Sequence, residues 1–137
     1  MFSKEDLNRF TGTERYHQHG LSKRVAYTDG CAYLVEHGAA WLVDAIASHL
    51  THDPKLVAAM AKNEELKAFH VWTLTLGGKG GAVLECRADT GTPVMCRQEI
   101  PYTDCPFDMK LFAAFTRWIS PQGQPVEGHV LMLPSEY

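Results

Sequence analysis

The chain has 137 residues, 45% of them hydrophobic and 21% charged, with a formal net charge of -3. That balance describes one folded domain over residues 1–137, and it excludes a disordered chain and a basic nucleic-acid binder. No apolar run approaches the roughly 20 residues of a membrane helix, and no charged segment leads into a secretory apolar core.

In chain order, Ser3-Lys4-Glu5-Asp6 predicts a short helix. Ser3 serves as N-cap, Glu5 and Asp6 favour the first turn, and Leu7 and Phe10 form its buried stripe. Gly12 ends it. Tyr16-His17-Gln18-His19 follows. H-x-H on an extended segment points both imidazoles one way, which is a metal-site spacing, but a site needs three or four ligands. The plainer reading is a polar edge segment with two exposed histidines. Arg24 to Tyr27 predicts a short strand and Thr28-Asp29-Gly30 a turn, with Asp29 as a candidate cap for a short helix through Cys31, Tyr33, Leu34 and Val35. His37-Gly38 breaks that helix. Residues 39–50 predict the principal helix, with Leu42, Ala45, Ile46 and His49 on one stripe, widened by Trp41 and Leu50. Asp44 and Ser48 fall on another side. Asp53 as N-cap and Pro54 at the first position restart a helix with a Leu56, Val57, Met60 and Ala61 stripe.

Residues 68–101 then read as three strands joined by two turns. Alternate positions His70, Trp72, Leu74, Leu84, Cys86, Val94, Cys96 and Ile100 make an apolar face. Thr73, Thr75, Glu85, Arg87, Asp89, Arg97 and Glu99 make a wet one, as in an antiparallel meander covered on one side. Keeping both faces intact requires a three-residue loop at Thr90-Gly91-Thr92, with Asp89 opposite Pro93. The same register sets Glu85 opposite Arg97 and Cys86 opposite Cys96. Glu85, Arg87, Arg97 and Glu99 are the candidate interaction surface.

Tyr102-Thr103-Asp104 repeats the tripeptide Tyr27-Thr28-Asp29. In each, the aspartate is expected to hold backbone N–H groups at its corner. Residues 109–119 fit a helix through Leu111, Phe115 and Trp118, and a strand through Leu111, Ala113 and Phe115. Residues 120–128 read as a polar loop and 130–133 as a short buried strand. The fold class is α+β: an antiparallel meander sheet of four to five strands with helices packed on one face. The 39–50 helix should cover the face bearing Trp72, Leu74, Leu84 and Cys86.

The four cysteines, Cys31, Cys86, Cys96 and Cys105, form no C-x-x-C pair and are expected as reduced thiols. A small enzyme could draw on Cys31 or Cys105 as nucleophile, on His17, His19, His37 or His70 as base, and on Asp29, Asp44 or Asp104 to orient it. None sits in a nucleophile motif. No catalytic, cofactor-binding or metal residue is assigned, and no cofactor is expected.

Five strings carry a resemblance. They are Phe10-Thr11-Gly12-Thr13-Glu14, Tyr27-Thr28-Asp29-Gly30, the Trp41 to Ser48 run, Ile100-Pro101-Tyr102-Thr103-Asp104 and Leu133-Pro134-Ser135-Glu136-Tyr137. With them the chain resembles a family of small bacterial proteins encoded on prophages, plasmids and other mobile elements, for which no reaction is assigned. The resemblance implies a cytoplasmic protein of a bacterial host. It implies strand for residues 109–118 and an extended hairpin loop for 120–128. It also implies a non-enzymatic protein–protein inhibitor of a host defence system, anti-CRISPR-like, with a host protein or complex as partner and neither nucleic acid nor membrane. The alternative is a small cysteine- or metal-dependent hydrolase.

Overall fold

The computed structural model describes residues 2–137. Its frame is an open sheet of seven strands: β1 (His17–Gln18), β2 (Val25–Tyr27), β3 (Phe69–Leu76), β4 (Ala82–Arg87), β5 (Val94–Ile100), β6 (Met109–Ile119) and β7 (Pro125–Met132). The spatial order is β1-β2-β7-β6-β3-β4-β5. The class is α+β, as expected, but the sheet is larger than four to five strands and is mixed, because β2 runs parallel to β7. The expected strand at Arg24 to Tyr27 forms as β2, and the further strand is β1 beside it, whose two residues are too few for a period-2 pattern to show.

The meander has the expected register, with Trp72 opposite Cys86, Glu85 opposite Arg97 and Cys86 opposite Cys96. It holds only as far as Cys86. A bulge then pairs Arg87 with Val94, so Asp89 and Pro93 fall in the loop and not opposite each other. Thr92 closes that loop, its N–H and Oγ1 both donating to the Asp89 carbonyl at 3.2 and 2.7 Å, and Gly91 supplies the positive φ of 84°.

Residues 109–119 form strand, paired on both sides, with β3 and with β7. Leu111 and Ala113 face the covered side. Trp118 lies on the opposite face in a small second core with Ala26 and Val130. The expected loop over 120–128 is a short turn instead. Ser120 N–H donates to the Gln124 carbonyl at 2.8 Å, and β7 begins at Pro125, the first strand position, where a missing N–H is tolerated. Gly128 admits the parallel partner: a Cβ there would run into the Arg24 carbonyl, beside which His129 N–H donates to that same oxygen at 3.1 Å.

The helices cover one face. Ser3 and Asp6 form a reciprocal capping box on α1 (Lys4–Asn8). α2 (Asp29–Leu34) joins α3 (Ala40–His52) through a widened turn at Val35–Ala39, where Gly38 at φ 99° makes the expected break. α3 buries Leu42, Val43, Ile46, Ala47 and Leu50. Leu42 and Ile46 meet Trp72, Leu74 and Leu84 of the predicted face, and Leu111 beside them. The stripe is rotated slightly, so Val43 and Ala47 take places given to Ala45 and His49. Asp53 caps α4 (Pro54–Lys62), and Asn63 caps a further helix, α5 (Glu64–Ala68), before β3. Among the described residues no helix is long and apolar enough to cross a membrane.

Candidate functional site

Glu85, Arg87, Arg97 and Glu99 lie together on the face without helices, as predicted. Their ion pairs run along each strand: Arg87 to Glu85 at 3.3 Å and Arg97 to Glu99 at 3.3 Å. Among the described residues no ion pair joins Glu85 to Arg97, although they face each other. The charges thus neutralise one another within each strand.

A second grouping forms at the start of α2, where four of the five recognition strings meet. Thr28 Oγ1 caps the helix by accepting from Cys31 N–H at 3.4 Å, and donates to Glu136 Oε1 at 2.6 Å. Gly30 N–H and Leu133 N–H donate to the same Glu136 carboxylate at 3.0 Å each. A Cβ at Gly30 would collide with the Glu136 and Leu133 side chains, so the bare glycine leaves them room against the start of α2. Asp29 N–H donates to Thr13 Oγ1 and Glu14 N–H donates to Asp29 Oδ2, both at 3.0 Å. His17 Nε2 lies 2.9 Å from Asp29 Oδ1, and His19 Nε2 lies 2.7 Å from Asp44 Oδ1. The Glu14 and His17 hydrogen bonds hold the Asp29 carboxyl below its usual range. Tyr27, stacked on His17, is pushed up by burial and by Asp44.

This corrects two expectations. The H-x-H pair is not two exposed histidines: His19 is buried and His17 half-buried, and each imidazole holds a different carboxylate, so the two do not converge on one metal. The corner role belongs to threonine and not to aspartate. Thr28 caps α2, and Thr103 Oγ1 accepts from Cys105 N–H at 3.0 Å. Asp29 instead holds the remote Glu14 N–H, and among the described residues exposed Asp104 has no hydrogen-bond partner.

The candidate bases and orienting carboxylates meet, His17 with Asp29 and His19 with Asp44, but among the described residues neither candidate nucleophile, Cys31 or Cys105, is hydrogen-bonded to a histidine. Cys31 is fully buried, and burial pushes its thiol up to about 12. Cys105 is buried and raised for the same reason. His19 Nδ1 accepts from Leu21 and Ser22 N–H at 3.3 and 3.0 Å, so with Nε2–H on Asp44 both nitrogens are engaged. His37 bonds the Tyr33 carbonyl at 2.8 Å. His70 is enclosed, its Nδ1 on the Leu66 carbonyl at 3.0 Å, and burial lowers it to about 4.

A further concavity was not legible beforehand. A cleft of about 800 Å³ opens between the ends of α3, α4 and α5 and strands β2, β6 and β7. Its apolar wall is Val25, Leu50, Val57, Met60 and Phe115, and Lys23, Arg24 and Lys67 bring three positive charges to it. Lys67 Nζ sits 4.5 Å over the Phe115 ring, and His129 Nε2 donates to the Lys67 carbonyl at 2.8 Å. Glu127, also on the wall, is paired with Arg117.

Over residues 1–137 the chain matches the model of a family of unknown function, DUF6876. The chain belongs to that family. No curated protein and no solved structure matches it. In this DUF6876 chain the cleft was missed because its cations lie far apart in sequence, one on α5 and two before β2. The signal available was Lys23-Arg24 directly before an apolar strand.

Proposed function

We propose that this DUF6876 protein acts by binding, as a non-enzymatic inhibitor of a host defence protein encoded on a mobile element. The binding site is the cleft, and the partner contributes an acidic segment with an apolar side. The observation that carries the reading is the cleft itself, in the size range of ligand pockets, with an apolar wall and three cations in a chain of net charge -3. The charges favour an acidic partner and the wall buries its apolar groups. The mixed-charge face of Glu85, Arg87, Arg97 and Glu99 is already neutralised along its strands and is the lesser surface. The mobile-element and anti-defence parts of the reading are supported by the resemblance of the sequence strings.

The test is a fluorescence-anisotropy titration with a labelled acidic amphipathic peptide, with a nucleoside triphosphate as competitor. Reversing Lys23, Arg24 and Lys67 to Glu should weaken peptide binding at least about tenfold, while Arg87→Glu with Arg97→Glu should leave it unchanged. Expressed in a bacterial host with an active defence system, the cleft variant should no longer raise phage plating. Binding lost only in the sheet-face variant would move the site to that face, and binding of nucleotide without peptide would remove the protein-partner reading.

A further inference from the structure

Among the described residues one group of metal-ligating side chains converges, made of residues that line neither the cleft nor the α2 corner. His49 comes from the last turn of α3, Asp53 caps α4 four residues on, and Cys96 lies on β5. His49 Nδ1 is 3.3 Å from Asp53 Oδ2 and 3.3 Å from Cys96 Sγ, and Sγ is 3.4 Å from Oδ2.

Each of the two polar ligands is held from behind. Asp53 Oδ1 accepts from Lys55 and Leu56 N–H at 3.1 and 3.3 Å, which leaves Oδ2 to face the group. His49 Nε2 lies 2.7 Å from Gln98 Oε1, and the ring stacks on Trp72. With Gln98 as acceptor, Nε2 carries the imidazole proton and Nδ1 presents its lone pair, the arrangement of a metal-bound histidine with an outer partner. The three facing atoms then share one proton, that of the thiol, between two acceptors. A divalent cation satisfies all three once that proton leaves to solvent.

The spacing fits. Zinc bonds of roughly 2.0–2.3 Å at a tetrahedral angle place ligand atoms about 3.3–3.6 Å apart. We propose that His49, Asp53 and Cys96 form a zinc-binding site with its fourth position open to solvent. The His49 and Asp53 side chains are 20% and 25% exposed, so the metal can reach them. A thiolate, an imidazole and a carboxylate select zinc over calcium or magnesium, which prefer oxygen alone. Bound metal would tie the α3–α4 corner to the edge strand β5. This site is independent of the cleft, and its variants leave Lys23, Arg24 and Lys67 untouched.

The experiment titrates the reduced, metal-free protein with cobalt(II) and then with zinc. A thiolate-to-cobalt charge-transfer band, displaced by one equivalent of zinc, and a zinc-dependent rise in Tm are expected. Asp53→Asn keeps an oxygen for the α4 cap and should weaken zinc at least about tenfold, Cys96→Ala should abolish the charge-transfer band, and Gln98→Ala should weaken zinc about 10-fold or more. Circular dichroism checks that each variant folds, and the wild-type titration decides if one does not. The absence of both the cobalt band and the Tm response in the wild type would leave a hydrogen-bonded cluster only. Zinc affinity unchanged in both Asp53→Asn and Cys96→Ala would place the metal at other ligands, His17 and His19 among them. Either result overturns the proposal.

Discussion

On the covered face of the sheet, His70 and Cys86 are enclosed with Trp72, Leu74 and Leu84 under α3 and α5, and burial lowers the His70 imidazole and raises the Cys86 thiol. On the open face at the same strands, Glu85, Arg87, Arg97 and Glu99 alternate in sign, pair along their own strands and remain in reach of water. The two faces teach that alternation along one stretch of chain separates the positions that hold the fold from those free to vary. Substitutions should therefore fall into two classes of very different cost.

The largest effect belongs to the covered face. Leu84→Ala should cost about 2–5 kcal/mol, because Leu84 is 1% exposed and lies under Leu42 and Ile46. Chemical denaturation measures it, and an unchanged midpoint would show that α3 does not seal this face. Next comes acid. Burial, with His129 nearby, lowers His70 from 6.5 to about 4. The unfolded chain thus binds the His70 proton more readily than the folded one does. The stability is fully present above pH 6.5 and is lost as pH falls toward 4, by up to about 3 kcal/mol. His70→Phe removes that group and should flatten the profile across this window, with depressed His129 supplying the remaining slope. Equal slopes in the two proteins would show that His70 is open to water when folded.

The two Tyr-Thr-Asp corners sharpen the contrast at smaller scale. Thr28→Ala should cost about 1–2 kcal/mol, since Thr28 caps α2 and reaches Glu136. Asp104→Asn should leave thermal stability unchanged, because Asp104 is exposed. On the open face, Arg97→Ala should likewise shift stability by less than about 0.5 kcal/mol. A loss at Asp104 equal to that at Thr28 would show the two corners to be equivalent after all.

What the sequence by itself determined is local. The Ser3, Asp53 and Pro54 helix starts, the Gly38 break, and the period-2 faces of the 68–101 meander with its register as far as Cys86 all follow from neighbours a few residues apart, and each appears in the fold. That Glu85, Arg87, Arg97 and Glu99 share one face was likewise readable from alternation alone. Partners far along the chain were not. The parallel β2–β7 pair joins Ala26 to Val130, and Gly30 fits Glu136. Residues 109–119 were ambiguous because Leu111 and Phe115 satisfy both periods, and pairing with β3 and β7 decided for strand. The cleft, the separate carboxylates of His17 and His19, and the meeting of His49, Asp53 and Cys96 were likewise decided only by tertiary structure. Local backbone and burial preferences are written in consecutive residues, whereas a site assembled from several elements exists only once the sheet order brings those elements together.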